Sequence, residues 1–117
     1  MRLPLIALLL SSQTALADPA EIVEASAKAQ GSGDWNISVT LRHPDTGWDH
    51  YADGWEVLSP DGTRLGFREL LHPHVNEQPF KRSLGGVTIP AGLDHVLIRA
   101  KCSVDGWGKD LFRLDLP

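Results

Sequence analysis

The chain has 117 residues, 11 basic against 15 acidic, and a formal charge of −4. That length builds one domain with one modest core, and the acidic balance argues against nucleic acid or an anionic membrane as partner. A single cysteine excludes an internal disulfide, so packing alone must hold the fold together.

Residues 1–17 read as a signal peptide. Arg2 is a short positive region, Leu3–Leu10 is apolar but too short to span a bilayer, and Ala15-Leu16-Ala17 is a cleavage site. Cleavage leaves a single domain over residues 18–117. No cysteine follows the site to carry a lipid anchor, and no second apolar run follows it. The expected product is periplasmic or secreted, with no membrane insertion after cleavage.

The remaining chain alternates apolar and polar residues with a period of two. Ile22–Ala29 places Val23, Ala25, Ala27 and Ala29 on one face. Trp35–Arg42 is the clearest strand, with Trp35, Ile37, Val39 and Leu41 inward. Residues 43–54 form a loop rich in turn formers and aromatics. Trp55–Leu58 and Leu65–Leu70 flank a Ser59-Pro60-Asp61-Gly62 turn, in which proline presets φ and glycine accepts the left-handed conformation. This hairpin predicts Trp55 and Val57 on one face, Leu65 and Phe67 on one face, and Glu56, Arg64 and Arg68 outward.

Two prolines keep residues 71–82 out of any central strand. Ser83–Ile89 contributes Val87 and Ile89 to the core. Asp94–Cys102 alternates with Val96, Ile98, Ala100 and Cys102 inward, which favours a buried structural thiol at Cys102 over a metal or redox thiol. Ser103–Lys109 is a loop, and Asp110–Leu116 supplies Phe112 and Leu114. Seven short strands without a capped helix predict an all-β antiparallel sandwich, with a small β-barrel as the alternative.

The order W-x-I-x-V-x-L, then G-W-x-V with a P-D-G turn, then S-L-x-G-V-x-I-P-x-G, then V-x-I-R-A resembles an immunoglobulin-like or fibronectin-III-like domain. The string GWDHYADGWEV, with LHPHVNEQPF and SVDGWG, also resembles small exported bacterial proteins of that architecture. The resemblance implies a fold and a compartment, and carries no catalytic residue.

In a sandwich of that topology, alternate loops share one pole. His43–Tyr51, His72–Pro79 and Asp105–Trp107 should therefore converge, bringing together four histidines, Trp48, Tyr51, Trp107 and several carboxylates. The opposite pole holds plain turn chemistry at Ser59–Gly62 and Pro90–Gly92.

Two readings of the histidine-rich pole stay open. In one, Trp48, His50, Tyr51, His72, His74, Glu77 and Trp107 form a recognition surface for another exported protein, a peptide or a glycan, with no cofactor. In the other, His72 and His74, spaced to project to one side of an extended segment, bind Cu or Zn with His50 or His43, and Asp49 or Glu77 adds an oxygen. An enzyme is not expected. Asp49–His50 and Glu77–His74 could pair as acid and base, but no nucleophile motif or phosphate loop accompanies them.

Overall fold

A computed structural model describes residues 19–117; the signal-peptide reading of residues 1–17 lies outside them. The described chain is all-β. Its strands are β1 (Glu21–Gly31), β2 (Asp34–Arg42), β3 (Ala52–Leu58), β4 (Arg64–Glu69), β5 (Phe80–Thr88), β6 (His95–Cys102), β7 (Gly106–Trp107) and β8 (Phe112–Asp115).

They form two antiparallel sheets, not a closed barrel. One has the order β1-β2-β5; the other has β4-β3-β6, with β7 and β8 both pairing with β6. Between them Ile37, Val39 and Leu41 of β2 meet Trp55 and Val57 of β3 and Val96, Ile98 and Ala100 of β6, all buried. These are the inward positions that the alternation marks. Trp35, Leu65 and Phe112 pack against this core from partly buried positions.

Irregular pairing shifts three of the expected details. A register break between Ile22 and Glu24 turns Val23 outward, leaving it 40% exposed, while Ala25 and Ala27 stay against the core. A second break lies between Val57 and Leu58. It lets Leu65 reach the core while Phe67 stands opposite Glu56 on the outer face, so Phe67 is not a core residue. Arg68 correspondingly lies opposite Trp55 rather than outward. Gly54 lies beside that outer ring: a β-carbon there would come within 2.9 Å of Phe67. The third shift is in the last strand, which begins early as the two-residue β7 and so draws Trp107 out of a loop and onto the sheet.

In β5 the pairing with β2 also breaks, between Trp35 and Ile37, and Gly86 takes φ +67 there, a conformation glycine adopts without strain.

The outer face of the second sheet is not simply solvated. Glu56 is 2% exposed and accepts hydrogen bonds from Arg64 Nε at 2.7 Å and from Arg99 Nε and Nη2 at 3.0 and 2.6 Å. Trp107 lies over Arg99 at 4.6 Å and edge-on to Phe67 at 6.1 Å. A buried carboxylate is tolerated there because two guanidinium groups satisfy it.

Candidate functional site

The inward row of β2 continues past Leu41 to His43, and the inward row of β6 ends at Cys102. Each sheet therefore finishes its apolar row with a polar group at the same end of the sandwich. His43 is fully buried and Cys102 is 2% exposed. Between them sits His50, delivered by the β2–β3 connection. Its tight geometry comes from Thr46 N–H donating to His50 O and His50 N–H donating to Gly47 O. One nitrogen of each imidazole and the Cys102 sulfur lie within 4.8 Å of one another.

Asp45 fixes this geometry. Its Oδ1 lies 2.5 Å from His43 Nδ1 and accepts the Ala52 N–H at 3.0 Å, while Oδ2 accepts the His74 N–H at 2.8 Å. With Nδ1 engaged, His43 presents Nε2, which is buried and has no hydrogen-bond partner among the described residues. A buried unpartnered nitrogen costs free energy unless something occupies it. A carboxylate behind the imidazole of a ligand is also the usual outer support of a metal-bound histidine. His50 Nε2 stands 3.5 Å from Cys102 Sγ, and the two histidine rings meet edge-on at 4.8 Å.

The three predicted segments do meet at this end. His43 N–H donates to Gln78 Oε1 at 3.0 Å, and His50 Nε2 lies 3.7 Å from Asp105 Oδ2. Just before that third segment, Tyr51 N–H donates to Ser103 Oγ at 3.1 Å and Ser103 N–H to Tyr51 O at 2.9 Å. The two plain turns lie together elsewhere, where Ser59, Pro60 and Pro90 line one shallow pocket.

Not every predicted residue joins the cluster. His72 and His74 lie outside the His43–His50–Cys102 group, with their rings 4.5 Å apart. His74 is buried, stacks on Phe80 at 4.0 Å, and has Nε2 2.8 Å from Arg82 Nη2. Burial, with Arg82 and His72 nearby, holds its pKa below the ordinary histidine value. His72 is exposed, with Nδ1 bonded to Pro73 O, and Glu77 pairs with Arg82 at 3.3 Å. Trp48 is 68% exposed at the tip of the β2–β3 connection, edge-on to Tyr51 at 5.6 Å. Trp107 packs on the outer sheet face.

Cys102 is the residue that sequence reasoning placed in the core and did not connect to the histidines. Its inward phase and burial are as expected. The usable signal was its position as the last inward residue of β6, at the pole where the β2–β3 connection arrives.

No protein-family model matches the chain, and no solved structure matches it. It is similar to a protein of Halomicrobium mukohataei named "Putative lipoprotein", 38% identical over 96 residues. The match covers 82% of this chain and 47% of that protein, so the chain spans about half the length of its relative.

Proposed function

We propose that this protein is an exported, non-enzymatic domain that holds one transition-metal ion, Cu or Zn, between His43, His50 and Cys102. The carrying observation is the orphaned, fully buried Nε2 of His43, a residue backed by Asp45 on its other ring nitrogen and grouped with a second imidazole and a thiol. Imidazole and thiolate together suit those ions better than Mg or Ca, which take oxygen ligands. Export is supported by the leader pattern in residues 1–17 and by the name of the Halomicrobium relative. The strand order β1-β2-β5 against β4-β3-β6-β8 supports the immunoglobulin-like or fibronectin-III-like type of sandwich.

The test is calorimetric titration of untagged, metal-free protein with Zn(II) and, under reducing conditions, with Cu(I). One ion per chain is expected, and Cys102→Ala or His50→Ala should weaken binding at least tenfold. Binding that is unchanged in both variants rejects the site.

A second reading is favoured by Trp48. A tryptophan 68% exposed at a loop tip, backed by Tyr51, is the form of a contact anchor for another exported protein, a peptide or a glycan. Trp48→Ala should then abolish partner binding and leave the melting temperature within about 1 °C, since the ring contributes little to the core.

A further inference from the structure

The β6–β7 turn carries one more group at the proposed metal site. Asp105 follows Cys102 by three residues and folds back on it. Its backbone N–H is donated to Cys102 Sγ at 3.3 Å, and its Oδ2 lies 3.5 Å from the same sulfur and 3.7 Å from His50 Nε2.

These three separations, among His50, Cys102 and Asp105, have the size of the edges of one face of a coordination tetrahedron, and His43 completes the group within 4.8 Å of His50 and Cys102. With zinc bonds of about 2.0–2.2 Å to nitrogen or oxygen and about 2.3 Å to sulfur, neighbouring ligand atoms lie about 3.3–3.6 Å apart. The His50–Cys102 and Cys102–Asp105 distances match that spacing, and the His50–Asp105 distance lies just beyond it. Charge points the same way. In the metal-free protein the Cys102 S–H can donate to Asp105 Oδ2. Once the thiol has lost its proton to bind a metal, sulfur and carboxylate are two negative charges 3.5 Å apart. A cation held between them removes that repulsion.

Resting on the metal reading above, we infer that Asp105 is the fourth ligand and that the ion is Zn(II). A carboxylate oxygen is a poor ligand for the soft Cu(I) ion and a common one for zinc. Cu(II) prefers a tetragonal arrangement, which these edges do not describe. Asp105 is also the ligand on the open side. Its side chain is 32% exposed and His50 is 22% exposed, whereas His43 and Cys102 are closed off. Asp105 further lines a cleft of about 750 Å³ together with Pro44, Gly106 and Trp107.

Asp105→Asn keeps a turn-forming side chain before Gly106 and the backbone N–H to sulfur, and removes only the anionic oxygen. Untagged full-length protein is loaded with Zn(II), Co(II) or Cu(I) in competition with chromophoric chelators. Asp105→Asn should raise the Zn(II) Kd at least tenfold while the Cu(I) Kd changes less than threefold. The Co(II) form should keep its sulfur-to-metal charge-transfer band and lose intensity in the d–d bands that mark four-coordination. Unchanged Zn(II) affinity and unchanged d–d bands in Asp105→Asn overturn the role of Asp105 but leave the metal site standing. Absence of the charge-transfer band in the wild-type protein overturns both. A wild-type preference for Cu(I), with Zn(II) bound no tighter than to Cys102→Ala, overturns the assignment of the ion.

Discussion

Asp45 accepts hydrogen bonds from three separate segments while itself 6% exposed, so one carboxylate ties His43, the start of β3 and His74 together. Removing it leaves two backbone N–H groups and an imidazole unpaired in the interior. Asp45→Ala should therefore cost about 3–5 kcal/mol in denaturant unfolding. Asp45→Asn should cost less, because the amide oxygen still accepts. His74 supplies a pH dependence. Its folded-state pKa is lowered by burial and by Arg82 and His72, so the unfolded chain takes up the proton more readily. The contribution of neutral His74 is complete above the unfolded value of about 6.5 and is lost as pH falls below it. Unfolding of metal-free protein should show stability declining from pH 7 to pH 5, and His74→Gln should flatten that decline. An equal slope in the variant would assign it to other groups.

At the level of the strands, β6 shows what alternation reveals and what it conceals. Its inward positions were legible, and Ile98→Ala should cost about 2–5 kcal/mol by cavity formation. Arg99 was legible as outward. Read from the sequence, that makes its removal mild. The structure changes the expectation, because Arg99 is one of two cations on the buried Glu56 and carries Trp107 on its face. Arg99→Ala should instead cost about 1–3 kcal/mol. Trp107→Ala should cost about 1–2 kcal/mol through lost contacts with Arg99 and Phe67, measured by the same unfolding. The sequence could not disclose this layer. It depends on a break in the β3–β4 register that reverses Phe67, and on β7 pairing with β6, and neither leaves a mark in hydrophobic periodicity.

Across the whole molecule, chain order alone placed the β2–β3, β4–β5 and β6–β7 connections at one end, and hydrogen bonds join all three there. The proposed ligand set was less legible. His43 and His50 lie seven residues apart and Cys102 some fifty residues further on, so only the sandwich brings them within reach. His72-Pro73-His74 had the more conspicuous local spacing, yet His74 is engaged by Phe80 and Arg82. A metal held between the two sheets should stabilise the fold by linkage, about 2.7 kcal/mol at a free-ion concentration one hundred times Kd, seen as a melting temperature that rises with Zn(II). The most direct measurement is X-ray absorption at the zinc edge of the loaded, untagged protein. A first shell with one sulfur at about 2.3 Å and two imidazole nitrogens at about 2.0 Å is expected. A shell of nitrogen and oxygen without sulfur would contradict it.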